Sequence, residues 1–164
     1  MKKILLILVV VISSCNLEKP TEFSNLALKE VVFDLKKSQK TFKSVLDTYR
    51  GKKILIDVWA SWCSDCIKGL PSVKNLQKEY PDVVFLFLSV DKSQSEWKNG
   101  IRRFKISGEH YNLPKGMKNG DFVDFINLNW IPRYLVVDEK GKISLFKATR
   151  ASDNAIVDAL NKTI

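Results

Sequence analysis

Runs and periods of apolar residues divide this chain into strand-like and helix-like segments. The run Ile54–Trp59 is long enough for one buried strand and too short for a helix. In Cys63–Glu79, apolar residues recur at helical spacing, which predicts a helix with a proline, Pro71, inside it. Val83–Val90 is nearly all apolar, as is typical of a parallel strand covered on both faces. The order strand, helix, strand indicates an α/β protein.

Weaker patterns extend this prediction on both sides. Before the central strand, Leu28–Leu35 is a weak strand and Ser38–Tyr49 an amphipathic helix, with Ser38 as its cap. The later segments are predicted as a helix at Ser95–Arg103, an irregular loop at Ile106–Met117, a short helix at Asn119–Leu128, a β-hairpin of Tyr134–Val137 and Ile143–Phe146, and a helix at Asp153–Asn161. The fold class is therefore α/β, with a mixed central sheet flanked by helices on both faces.

The first residues have the pattern of an export signal. Lys2 and Lys3 precede the apolar run Ile4–Ile12, which is shorter than the roughly 20 residues that a membrane span needs. The end of this segment resembles the lipobox of bacterial lipoproteins, whose cysteine, here Cys15, is lipidated and becomes the mature N-terminus. A retained signal anchor is the alternative. We expect a signal peptide at 1–14, a lipidated N-terminus and tether at 15–27, and one folded domain at 28–164.

The basic charge of the chain does not indicate nucleic-acid binding. The 27 Lys and Arg against 18 Asp and Glu give a net charge of +9. Two of the lysines belong to the signal, which leaves +7. The basic residues are scattered and form no stripe interleaved with aromatic residues, so we expect no nucleic-acid partner. A solvated surface next to anionic lipid headgroups explains the charge better.

Two cysteines three positions apart, Cys63 and Cys66, stand where the pattern changes from strand to helix. The first turn of a helix stabilises an anion, so Cys63 should ionise readily, and the thiolate is the nucleophile of disulfide exchange. Cys66, one helical turn on, can then attack the mixed disulfide. A structural zinc site needs about four ligands, and outside Cys15 the chain offers only this pair and His110. We therefore expect a redox pair without metal or organic cofactor, and assign His110, in the predicted loop, no chemistry.

An acid, Asp57, interrupts the apolar central strand. Burial of an unpaired carboxylate raises its pKa, and such a group could accept the proton of Cys66 when Cys66 becomes the attacking thiol. In the alternative arrangement, Asp57 points to an edge of the sheet and titrates normally.

Two motifs resemble one known family. The segment Asp57–Cys66, followed by Pro71, resembles the active-site signature of the thioredoxin superfamily, and the sequence Trp-Ala-Ser-Trp-Cys at 59–63 is most similar to its membrane-anchored TlpA/ResA-like branch. Trp130-Ile131-Pro132 resembles the cis-proline loop that faces the redox cysteines in that family. The match covers roughly residues 38–164.

The resemblance implies a thioredoxin-like fold and a thiol–disulfide oxidoreductase of the bacterial cell envelope. Cys63 would be the nucleophile, Cys66 the resolving thiol and Asp57 the proton acceptor, while Ile131 and Pro132 would face the substrate. The partners would be protein thiols and disulfides and an electron-donor thiol protein, met by a monomer tethered to the membrane through lipid. A disulfide oxidase or isomerase, a thiol peroxidase and a non-catalytic peptide-binding module remain as alternatives.

Other residues near the motifs refine the prediction. Trp62 should form an exposed rim for substrate docking, whereas Trp59 should belong to the core. Asp65 lies where family members commonly have proline, and its charge favours the disulfide and a reducing role, although Lys68 acts in the opposite sense. Arg133 replaces a threonine often found after the family's proline. It could lower the pKa of Cys63, select acidic partners or point to solvent.

Overall fold

The computed structural model describes residues 19–162, which form one α/β unit. Its elements in chain order are α1 (Asn25–Lys29), β1 (Val31–Asp34), β2 (Gln39–Thr41), α2 (Phe42–Thr48), β3 (Ile54–Trp59), α3 (Ser64–Glu79), β4 (Val84–Ser89), α4 (Gln94–Phe104), β5 (Glu109–Asn112), α5 (Asp121–Phe125), β6 (Arg133–Val137), β7 (Ile143–Ala148) and α6 (Asn154–Asn161). The signal peptide and Cys15 predicted above lie outside the described residues.

One mixed sheet joins all seven strands in the order β2-β1-β5-β4-β3-β6-β7. Strand β3 pairs in parallel with β4 and antiparallel with β6, and β4 pairs in parallel with β5. Every residue of β3 is buried, as its apolar run predicts for a strand covered on both faces. The predicted mixed sheet and the positions of β3, α3, β4, α4, β6, β7 and α6 are confirmed.

The predicted irregular loop at Ile106–Met117 is wrong, because it contains β5. This short strand lies between β4 and β1 and pairs with both. His110 is therefore a buried strand residue with two neighbours. Its ring stacks on Phe87 at 5.3 Å between centroids, and its Nε2 lies 3.1 Å from the carbonyl oxygen of Ile106. Burial lowers the pKa of His110, which suits a neutral ring in the core.

The N-terminal part also differs from the prediction. Residues 28 and 29 end helix α1, and the strand within Leu28–Leu35 is only β1. The helix expected from Ser38 begins at Phe42, where the Thr41 side chain accepts a hydrogen bond from the Ser44 N–H, because residues 39–41 pair with β1 as β2.

Packing begins ahead of residue 28, within the segment expected to be a tether. The Phe23 ring is buried and contacts Phe42 in α2 at 5.1 Å and Phe125 in α5 at 5.6 Å. The Glu30 carboxylate accepts a hydrogen bond from the Phe122 N–H at 3.2 Å and pairs with Lys115 at 3.1 Å. The N-terminal residues thus hold α5, the helix that precedes the Trp130-Ile131-Pro132 loop.

Across residues 19–162, none of the helices has both the length and the apolar character that crossing a membrane requires.

Candidate active site

The two cysteines lie at the junction of β3 and α3, as the sequence predicts. Cys63 is the N-cap of α3, and its sulfur accepts a hydrogen bond from the Cys66 N–H at 3.1 Å. The two sulfur atoms are 2.09 Å apart and form a disulfide. An anion on Cys63 would therefore meet the N–H groups and the positive end of a 16-residue helix. Cys63 is 6% exposed and Cys66 3%, so the first cysteine is the more accessible.

A cis peptide bond joins Ile131 and Pro132, as the motif predicts. It brings the backbone of this loop against the disulfide, with the Ile131 carbonyl oxygen 3.7 Å from the Cys63 sulfur. In the dithiol form, the Cys63 thiol can donate a hydrogen bond to this oxygen. The backbone of this loop therefore lies directly against the Cys63 sulfur.

Asp57 is buried in β3 and is 4% exposed. This burial raises the pKa of Asp57 to about 8, from an ordinary value of 3.8. Among the described residues, its Oδ1 has no hydrogen-bond partner. At neutral pH the folded protein therefore holds a protonated carboxyl that can exchange its proton near the working pH of an enzyme. The alternative of an ordinary edge aspartate is wrong.

Tyr134 connects Asp57 with the active-site helix. It lies directly opposite Asp57 in the β3–β6 pair, and residues opposite each other share a face of the sheet. Its hydroxyl approaches Gly69 of α3 so closely that a Cβ there would lie 3.3 Å away. Burial is the larger cause of the shift in the pKa of Asp57, and the Tyr134 hydroxyl acts in the opposite sense, although the two groups do not meet the geometry of a hydrogen bond. Asp57 and Tyr134 therefore face α3, one helical turn from Cys66.

Comparison with known proteins identifies the family of this chain. Residues 51–143 match the thioredoxin-like family. The chain belongs to that family. It resembles the thioredoxin-like protein YneN of Bacillus subtilis, with 33% identity over 105 residues, which are 62% of this chain and 59% of YneN. It also resembles the thiol–disulfide oxidoreductase ResA of Bacillus thuringiensis, with 24% identity over 129 residues, 77% of this chain and 69% of ResA.

A solved structure agrees over nearly the whole chain. The solution structure of a candidate thiol–disulfide oxidoreductase from Bacteroides vulgatus matches with a TM-score of 0.67 and 30% identity, and the match covers 90% of this chain and 91% of that protein. This thioredoxin-like chain is a thiol–disulfide oxidoreductase of the ResA/TlpA type, and its redox centre is the Cys63–Cys66 pair.

Arg133 does not have the position that a substrate-contacting or solvent-facing residue would need. Its side chain is fully buried, so it cannot meet a partner directly. One guanidinium nitrogen donates to the Ile126 carbonyl oxygen at 2.7 Å, and the other donates to Asn129 Oδ1 at 3.1 Å. Because it pairs with Val58, it lies on the opposite face of the sheet from Asp57. In this thioredoxin-like chain, Arg133 ties the loop before β6 to the end of α5.

The tryptophans divide as the sequence predicts. Trp59 is 1% exposed and belongs to the core, whereas Trp62 is 61% exposed beside Cys63. Trp130, which the sequence analysis gave no role of its own, is 57% exposed and lines the same groove as Trp62 and Cys63. Its position in the sequence, directly before Ile131 and the cis bond, could have identified Trp130 as a residue of the site.

The sequence analysis missed a buried polar cluster around Asp91. Asp91 follows β4 and is fully buried. Its Oδ2 accepts hydrogen bonds from the Ser61 N–H at 2.9 Å and the Ser89 hydroxyl at 2.8 Å, and its Oδ1 accepts one from the Ser61 hydroxyl at 2.7 Å. Asn112 donates to the Asp91 carbonyl oxygen at 2.8 Å. The sequence offered a signal for this cluster. Asp91 directly follows the apolar run of a strand parallel to β3, and the carboxyl ends of parallel strands meet at one edge of the sheet.

The charges in the first turn of α3 partly cancel. Asp65 and Lys68 pair at 3.8 Å, and both side chains are at least half exposed. Solvent screens such a pair, so neither charge dominates the cysteines. The described residues contain no group of three or more side chains suited to hold a metal ion.

Proposed function

We propose that this protein reduces disulfides of partner proteins in the bacterial cell envelope. The observation that carries the proposal is the Cys63–Cys66 disulfide at a helix N-terminus, opposite a cis-proline loop and beside a buried acid. The names of the relatives ResA and the Bacteroides vulgatus protein support the same class of reaction.

The proposed reaction begins with the dithiol form. The Cys63 thiolate attacks one sulfur of the partner's disulfide, which forms a mixed disulfide and releases the other sulfur as a thiolate that takes a proton from water. The deprotonated fraction of Asp57, which grows as the pH rises toward its pKa of about 8, accepts the proton of Cys66, and the Cys66 thiolate attacks the Cys63 sulfur. This step restores the Cys63–Cys66 disulfide and releases the second partner thiolate, so two electrons pass to the partner. A donor thiol protein then reduces the pair again.

The location is proposed from the first residues of the chain. The basic start, the short apolar run and Cys15 support export, lipidation of Cys15 and membrane attachment of a monomer through a short tether. Loss of lipid labelling and of membrane association in a Cys15→Ser variant would support the anchor, and unchanged labelling would contradict it.

A trapping experiment tests the reaction. In a Cys66→Ser variant the mixed disulfide cannot resolve, so envelope proteins should accumulate on Cys63 and be released by a reductant. A Cys63→Ser variant is the matched control and should trap far less. No trapped partner in the Cys66→Ser variant would contradict the exchange reaction and favour a peptide-binding module.

The reducing direction is tested by the potential of the Cys63–Cys66 pair. We expect a value near the roughly −270 mV of thioredoxin, whereas one near the roughly −120 mV of strong disulfide oxidants would reverse the proposed direction.

A further inference from the structure

Two exposed tryptophans line one groove together with Cys63. The described residues contain four large apolar side chains with high exposure, and two of these, Trp62 and Trp130, line the same groove as Cys63. The other two, Leu26 and Leu35, belong to the N-terminal elements and do not line this groove. Because exposed tryptophans are enriched at the centres of binding surfaces, this pair marks a contact region for a partner.

The groove that contains the two tryptophans is mainly apolar. It has a volume of about 350 Å³ and is lined by Trp62, Cys63, Ser64, Asp65, Met117, Asn129, Trp130 and Ile131. Met117 adds a flexible, polarizable side chain that can adjust to different shapes. The one charged lining residue is Asp65, and Lys68 pairs with it at 3.8 Å, so the groove carries little net charge.

Two buried side chains, those of Arg133 and Asp91, bind the residues that directly precede the two tryptophans. Asn129, which directly precedes Trp130, is bound by the fully buried Arg133. Ser61, which directly precedes Trp62, is bound twice by the fully buried Asp91. A wall that is already ordered loses little conformational entropy when a partner binds, so its contacts translate into affinity.

We propose that Trp130, together with Met117 and Trp62, is a specificity site for a large apolar side chain next to the reacting cysteine of the partner. The proposal rests on the proposed exchange reaction. The occupant is an extended segment of the partner protein, because its sulfur must reach Cys63 and its neighbouring side chains then lie in the groove that Trp62, Met117 and Trp130 line. A polar or acidic neighbour gains no such apolar contact.

Three disulfide-linked peptide dimers test this site. They have the same length and differ only in the residue beside cysteine, which is phenylalanine, serine or glutamate. The full chain, purified in detergent and reduced beforehand, is mixed with each dimer, and kcat/KM is measured with a thiol donor in excess. We expect the phenylalanine dimer to react about tenfold faster than the serine dimer and the glutamate dimer.

Two variants show whether Trp130 causes the preference. Trp130→Ala should bring the ratio of the phenylalanine to the serine rate close to one, with the Cys63–Cys66 reduction potential unchanged. Leu26→Ala, which removes an equally exposed apolar side chain outside the groove, should keep the ratio of the unchanged protein.

The results that would contradict the exchange reaction differ from those that would contradict the specificity site. If none of the three dimers is reduced, the proposed reaction itself fails. If all three are reduced at equal rates, or if Trp130→Ala keeps the full preference, the exchange reaction stands and the specificity site is overturned. A preference lost equally in Leu26→Ala would also overturn it.

Discussion

Asp57 and Asp91 are both buried near the disulfide, but their surroundings differ. The carboxylate of Asp91 accepts three hydrogen bonds, two of them from Ser61 in the loop that leads to Cys63. Asp57 Oδ1 has no partner within residues 19–162, and burial raises the pKa of Asp57 to about 8. The two buried carboxyl groups therefore differ in their donors. Asp91 ties the Ser61 loop to the end of β4, whereas Asp57 has no such bond at Oδ1, and its raised pKa follows from burial.

The largest expected effect is on stability against pH. Between about pH 4 and pH 8, Asp57 keeps its proton in the folded protein and loses it in the unfolded chain, because its pKa rises from 3.8 to about 8 on folding. Unfolding then releases a proton, so the free energy of unfolding falls as pH rises, by up to about 5 kcal/mol across this window. Urea denaturation of the oxidised protein from pH 4 to 9 measures the slope.

Two variants show which aspartate causes that slope. Asp57→Asn should remove most of it and make the protein more stable than the unchanged chain at pH 8, with little difference at pH 4. Asp91→Asn should keep the slope, because Asp57 is intact. Equal slopes in the unchanged protein and Asp57→Asn would show that Asp57 has no raised pKa.

The next largest effect is on the rate of exchange. Asp57→Asn removes the proposed acceptor of the Cys66 proton, so resolution of the mixed disulfide near pH 7 should slow by about a hundredfold. Stopped-flow tryptophan fluorescence can follow the reduced protein as a disulfide substrate oxidises it, because Trp62 lies beside Cys63. Asp91→Asn is the comparison variant, and it should slow this step less than Asp57→Asn does, because it weakens the bonds to Ser61 but leaves Asp57 intact. Unchanged rates in Asp57→Asn from pH 6 to 9 would remove Asp57 from the mechanism.

The parts of this site that sequence predicts are those encoded locally. The apolar run fixes β3, and Cys63, Cys66 and Asp57 take their places from spacing along one strand and one helix. Ile131-Pro132 is identified by a motif that sits directly before a strand. Each of these features depends on residues that are close to it in the chain, so the local sequence is enough to predict its position.

The parts that sequence did not predict depend on distant partners. Strand β5 is short and contains polar residues, and it exists because β4 and β1 lie on its two sides. Arg133 is buried because the end of α5 and Asn129 come to meet it. Asp91 reaches Ser61 only because β3 and β4 run in parallel.

A smaller effect is expected from Asp91→Asn. The amide can still accept hydrogen bonds from the Ser61 N–H and the Ser89 hydroxyl, while its NH2 group faces the Ser61 hydroxyl, which can turn to accept. The loss is therefore mainly that of charge-assisted bonding, about 2 kcal/mol of the free energy of unfolding. Urea denaturation at pH 7 measures it. A loss near zero would mean that Asp91 does not stabilise the loop. The contrast between a stabilising Asp91 and a titrating Asp57 would then be wrong.

The smallest effect is expected from Ser61→Ala, which removes one hydroxyl donor to Asp91 and keeps the backbone one. It should lower the free energy of unfolding by about 1 kcal/mol. A double-mutant cycle then separates the two aspartates. In the Asp91→Asn background the loss should shrink, because the charged acceptor is already gone, whereas in the Asp57→Asn background it should stay the same. Equal losses in all backgrounds would show that Ser61 and Asp91 are not coupled, and coupling to Asp57 would mean that the two regions form one network.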